Sequence, residues 1–215
     1  MTVVSYRLRF RRLLGSRVRA LRRYLNEVAI VGPGDDYAKA FFYFGERAAL
    51  MAPQGVIYNE RYLSIGDETL IGPNVCLTVG INGEQEMLAT PTVSIGRHCV
   101  IGRGSHIIGH WSIEIGDDIQ TGPYVYITDQ NHSYEDIDEP VGWQRPSEAA
   151  VKIGSGSWLG ANVVILPGTE LGCNTVVAAG AVVRGTFPDH VVLGGVPAKV
   201  LRHYSASEGW LAGPA

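Results

Sequence analysis

An aliphatic residue, often followed by glycine, returns every six positions through most of this chain. From Ile65 the sequence reads IGDETL and IGPNVC; from Ile95, IGRHCV and IGRGSH; from Ile115, IGDDIQ, TGPYVY and ITDQNH. From Ile153 it runs IGSGSW, LGANVV, ILPGTE, LGCNTV, VAAGAV and VRGTFP without a break. A period of six is too short for a helical repeat and does not follow a 3.6-residue stripe. It fits a short strand and a turn. Three such units close one triangular coil of 18 residues, with the leading Ile, Val or Leu pointing inward onto its equivalent in the next coil. Glycine beside it allows a corner too tight for a side chain.

The register of the coils locates the irregular parts. Coils beginning at Ile65, Ile95, Ile115, Ile153 and Leu171 are spaced by 30, 20, 38 and 18 residues. Relative to an 18-residue coil, these intervals contain insertions of 12, 2, 20 and 0 residues. Each falls in or just after the third side of its coil, roughly at 81–94, 107–114 and 133–152. Insertions in a solenoid map to one face, which is often the binding face. His132 ends the hexad ITDQNH, immediately before the longest insertion. Neutral imidazole there is suited to act as a general base. Asp129, Asn131 and Ser105 are the candidate substrate contacts. Ser133 adjoins the histidine, but no third group stands at a spacing that would complete a nucleophilic triad.

The stretches TDQNHSYED, VKIGSGSWLGANVVILPGTELG, VVAAGAVV and LGGVPAKVLR give the chain a more specific signature than the repeat alone. Over roughly residues 60–203 it resembles the hexapeptide-repeat acyltransferases, in the branch of the maltose and galactoside O-acetyltransferases and the polysaccharide-modifying enzymes. The resemblance implies an all-β, left-handed parallel β-helix assembled as a homotrimer. It also implies acetyl-CoA as acyl donor, with a saccharide hydroxyl as acceptor. The family's base, which takes the proton from the acceptor hydroxyl, matches His132. Many relatives read DHNH where this chain reads DQNH, so Gln130 leaves His132 as the motif's only histidine. The family binds CoA in a groove between subunits. The matching positions are Trp158, Gly160, Ala161 and Ala179, with Arg184, Lys199 and Arg202 as cationic candidates for its phosphates. Relatives reading VVTKD carry lysine where this chain has Gly185, so Arg184 stands one place before the usual charge. No metal is expected.

Three regions follow: a basic N-terminal arm over residues 1–60, partly helical; the β-helix over 61–200; and a C-terminal tail over 201–215, read as mobile after His203. Residues 1–25 hold eight arginines and no acid, while the remainder carries ten basic and 21 acidic residues. Within 5–25, Leu14, Val18, Leu21 and Leu25 recur on one helical face. Such a helix suits an anionic membrane surface, an acidic neighbour or a cap on the β-helix. KAFFYFGERAAL reads as a further short helix. The acidic body argues against nucleic acid as a partner. No run reaches a membrane-spanning length, and arginine interrupts the N-terminal apolar runs, so a cytoplasmic location, free or peripheral to the inner membrane face, is the expectation. Cys76, Cys99 and Cys173 lie far apart and read as reduced packing residues.

Other functions fit the same repeat. An amino-sugar nitrogen could replace the hydroxyl as nucleophile. A metal enzyme like the γ-type carbonic anhydrases would draw on His98, His106, His110 and His132. A trimeric scaffold would need no site at all, which the histidine kept at the corner argues against.

Overall fold

The computed structural model describes residues 3–83 and 85–213, with the backbone alone for residues 3–10 and Leu13. Three parallel sheets form the faces of a left-handed, three-sided β-helix, joined by corners at which the chain turns to the next face. Register follows the hexads. On the first face Phe44, Ile65, Ile95, Ile115, Ile153, Leu171 and Phe187 occupy successive rungs. On the third face the rungs are Ile57, Leu77, Ile107, Ile127, Ile165 and Val183. These side chains, with those of the second face, form one continuous core along the axis. Ile65, Leu77, Ile113, Leu159 and Ile165 have no exposed surface.

The corner between the first and second faces shows how closely the coils stack. A Cβ on Gly66 would lie 2.4 Å from the carbonyl carbon of Gly96, and one on Gly96 would lie 2.5 Å from the carbonyl oxygen of Gly116. Each coil then needs one residue in the left-handed region: Arg47, Glu68, His98, Asp118, Gly156, Asn174 and His190, with φ between 50° and 74°. Inside the corner, hydroxyls satisfy carbonyls that the turn leaves open. Ser157 donates to Gly154 O at 2.7 Å and accepts from the Thr175 N–H at 3.0 Å.

The structure corrects the sequence reading at both ends. KAFFYFGERAAL forms a 3₁₀ turn at Asp36–Ala40, then strands Tyr43–Phe44 and Ala49–Leu50 of an additional coil. Phe44 stands where later coils have isoleucine, which hid the hexad, so the β-helix begins near residue 43 rather than 61. The tail read as mobile forms antiparallel strands Ala198–Ser205 and Gly209–Ala212, which extend the second face beyond Val191–Gly195. Of the cysteines, only Cys99 is a core residue; Cys76 is half-buried and Cys173 exposed, and all three are free. The helix α1 (Val3–Val28) is continuous through Gly15. Its end is tied to the first coil by an antiparallel bridge between Val31 and Leu50.

Candidate active site

The insertions all leave from the corner between the third and first faces. The third-face strands Cys76–Val79, His106–Gly109 and Tyr126–Thr128 are each followed by one, before the next coil starts at Val93, Ile113 and Val151. The hub of this corner is Asp129, which is fully buried. Its carboxylate accepts from the backbone N–H groups of His110, Trp111 and Ser112 at 2.8, 2.8 and 2.7 Å. Its carbonyl accepts from the Ala149 N–H at 2.8 Å. One residue therefore fixes both the preceding coil's turn and the returning end of the long loop. Burial pushes its carboxyl above the ordinary carboxylate range, against the three N–H groups, which favour the ionised form.

From Asp129 the chain runs out as strand Gln130–Asn131 and returns antiparallel as Ser147–Glu148. The loop between them is held from within. Gln144 is buried and donates to the carbonyls of Asp136 and Glu139 at 2.8 and 2.9 Å. Tyr134, Ile137 and Trp143 nonetheless remain open on the loop's surface. Glu148 brings a carboxylate oxygen to 3.2 Å from Nδ1 of His110, whose ring is buried.

His132 is exposed at the end of the outgoing strand. Its backbone N–H donates to Asn131 Oδ1 at 3.1 Å, and its imidazole has no partner among the described residues. Asn131 lines a pocket of about 160 Å³ with Ser147, Glu148, Leu166, Pro167 and Arg184. The geometry thus groups an amide, a hydroxyl, a carboxylate and a guanidinium around a polar hollow, and His132 adjoins it in sequence without lining it. A larger hollow of about 520 Å³ lies along the first face, between Ser94, Glu114 and Lys152, and no histidine lines it.

Two substrate contacts expected from sequence are corrected. Asp129 is enclosed, with both carboxylate oxygens committed to backbone donors. Ser105 is 1% exposed; its hydroxyl donates to Gly102 O at 2.7 Å and accepts from the Val125 N–H at 3.1 Å, so it is a corner residue of the interior.

The positions matched to CoA do not form one surface within the chain. Gly160, Ala161 and Ala179 lie at the corner between the second and third faces, where Gly160 packs against the Ala179 backbone. Lys199 pairs with Gly194 near that corner. Trp158 projects outward from the second face, between Gln120 and Val176. Arg202 lies over the Trp210 ring at 5.9 Å and donates to that residue's carbonyl. Arg184 stands across the third face from Gly160, beside the long loop. The histidines also disperse: His98 sits between Glu68 and Asp118 on the opposite corner, and His106 projects from the third face. Among the described residues, no three His, Cys, Asp or Glu side chains are grouped to hold a metal ion.

Sequence reasoning missed Glu148, Ser147 and the dyad of Glu148 with His110. The 20-residue insertion showed that a loop exists, but not which of its residues pairs back against Gln130 and Asn131.

Comparison with known proteins agrees with this architecture. The family model "Bacterial transferase hexapeptide (six repeats)" matches residues 150–185, and "Hexapeptide repeat of succinyl-transferase" matches residues 92–128. A Mycobacterium tuberculosis protein named as an acetyltransferase is 36% identical over 116 residues, 54% of this chain and 39% of its own length. WbbJ of Escherichia coli, named for O-acetyl transfer in lipopolysaccharide biosynthesis, is 41% identical over 107 residues, 46% of this chain and 55% of its own. The chain thus spans about half the length of these curated relatives. Among solved structures, a hexapeptide-repeat acetyltransferase from Vibrio cholerae, complexed with acetyl-CoA, superposes with a TM-score of 0.52 at 26% identity, over 78% of this chain and 74% of that one. An N-acyltransferase from Bacillus cereus shares the fold, with a TM-score of 0.69 at 17% identity, over 83% and 92% of the two chains. With the repeat and its register, the chain carries hexapeptide-transferase repeats over residues 92–128 and 150–185 and is similar to proteins named as acetyltransferases.

Proposed function

We propose that this protein transfers an acetyl group from acetyl-CoA to a hydroxyl of a sugar or polysaccharide precursor, with His132 as the general base and no covalent acyl-enzyme. The observation that carries this reading is the unpartnered His132 imidazole at the loop corner, one residue from the pocket shared by Asn131 and Arg184. In this mechanism His132 takes the proton of the acceptor hydroxyl as its oxygen bonds to the thioester carbonyl carbon. The carbon–sulfur bond then breaks, and His132 returns the proton to the departing thiolate. Asn131 and Ser147 orient the acceptor. Asp129 acts at one remove, by fixing both sides of the corner. Placement and proton transfer together are sufficient chemistry for such a step.

The division of the CoA candidates supports a groove between two copies of the chain. Gly160, Ala161, Ala179 and Lys199 line one corner, and Arg184 stands on another with the base. A donor that meets both sets would lie between neighbouring subunits of a trimer, its pantetheine along one chain and its thioester at His132 of the next. Relatives named for O-acetyl transfer support the hydroxyl acceptor.

The test is release of free thiol from acetyl-CoA against a panel of saccharides bearing hydroxyls alone and of amino sugars. Transfer to a hydroxyl that is lost in His132→Ala supports the reading. Transfer restricted to amino groups would replace the acceptor class, and undiminished transfer by the folded variant would remove His132 from the mechanism.

A further inference from the structure

The helix α1 is absorbed neither by the β-helix nor by the corner just described. It spans Val3–Val28, about 39 Å at the rise of an α-helix. None of its described side chains is buried. Leu14, Val18, Leu21 and Leu25 form one stripe and are each at least half exposed; Val28 extends it, and Tyr24 flanks it. The cap on the β-helix that the sequence allowed is therefore not made within this chain. At about 100° per residue, Arg11 and Arg22 flank the stripe on one side and Arg17 on the other, while Arg12, Arg19 and Arg23 fall toward the opposite face. The first acid is Glu27, so residues 1–26 hold no Glu–Arg pairs of the kind that support a solvated helix. The helix presents two unmet demands on one surface, a row of apolar side chains and a set of uncompensated cations.

We infer that α1 lies flat on an anionic lipid surface and holds the β-helix against it. Charge complementarity selects this occupant. An acidic protein face would meet the arginines and leave the leucines in water. An apolar groove would do the reverse. An anionic bilayer meets both, because the leucine row enters the acyl boundary while arginine stems run along the apolar layer and place their heads among the phosphates. The helix is not a span: no described helix is long and apolar enough to cross a membrane. The inference does not depend on the acyltransfer reading.

The experiment is co-sedimentation of the full chain with vesicles of pure phosphatidylcholine and with vesicles containing about one-third phosphatidylglycerol. The wild-type chain is expected to pellet with the anionic vesicles and to stay in solution with the neutral ones. Leu21→Glu with Leu25→Glu should weaken binding at least about tenfold, since it removes buried apolar area and adds repelling charge. Arg11→Gln with Arg17→Gln and Arg22→Gln should weaken it and reduce its salt dependence. Both variants change exposed residues, and thermal melts matching wild type would confirm that the β-helix is intact. Equal pelleting on both vesicle types, or binding indifferent to the leucine changes, would overturn the inference. So would no binding together with protection of α1 from hydrogen exchange in the oligomer, which would assign the stripe to a contact between copies.

Discussion

Two corners of the same prism show what the repeat does and what its interruptions do. The corner between the first and second faces is almost invariant from coil to coil. Glycine stacks over glycine at Gly66, Gly96 and Gly116, one residue per coil takes left-handed φ, and buried hydroxyls close the open carbonyls. The corner between the third and first faces receives every insertion, and no two of its turns match. Among the described residues it combines a buried carboxylate and a His–carboxylate contact with the unpartnered His132 imidazole, next in sequence to the pocket-lining Asn131. Regularity leaves no room for chemistry, because backbone fills the space where a side chain or substrate would stand. The residues proposed for proton transfer collect where the count of six is broken above a regular scaffold.

Changes at the two corners should separate activity from stability. At the loop corner, His132→Ala should lower acetyl transfer by about 10²–10⁴-fold with an unchanged melting temperature, since the ring touches nothing that holds the fold. Steady-state kinetics beside a thermal melt checks both halves of the claim. Asp129→Ala should affect both properties. It leaves three backbone N–H groups without their acceptor and should cost about 3 kcal/mol in a urea melt, with transfer falling alongside.

The pH dependence of Asp129 follows from the direction of its shift. Its folded carboxyl holds a proton to higher pH than the unfolded chain does. Its proton-linked stabilisation is therefore full below the ordinary carboxylate value and is lost as pH rises through the raised folded one. Urea melts at several pH values should show that limb, and Asp129→Asn should flatten it.

On the regular corner the expectation reverses. Gly66→Ala drives a Cβ to 2.4 Å from backbone and should cost about 1–3 kcal/mol, while the activity of each folded molecule is preserved. The smallest expected effect is Glu148→Gln. It weakens the contact with His110 and should lower transfer a few-fold, with about 1 kcal/mol or less lost in stability. A larger loss from Glu148→Gln than from His132→Ala would move the catalytic role to His110.

How much of this was legible follows from the same contrast. The hexads fixed the coil register rung by rung from Ile65 to Leu171, and their gaps gave the number, size and edge of the insertions, because an inward residue every six positions admits one stacking. The first coil was hidden because Phe41, Phe44 and Ala48 fill its interior in place of Ile and Val. The terminal strands were hidden because antiparallel pairing after Gly195 follows no six-residue rule. In the site, His132 was marked by ending a hexad at the longest break. Asp129 was visible as a residue but not as the buried hub, since its donors lie 17 to 19 positions earlier in another coil. Glu148 was invisible for the same reason, as its partner is 38 positions away. Contacts made between coils across an insertion have no local signature.

The central claim is that this corner and its neighbour's groove hold an acetyl donor. Titration calorimetry of acetyl-CoA into the intact, folded protein tests it before any acceptor is identified. Binding should be micromolar, with one donor per chain, and should weaken when Arg184→Ala or Lys199→Ala removes a cation from either side of the groove. Absence of binding by a well-folded oligomer, at donor concentrations approaching millimolar, would contradict it.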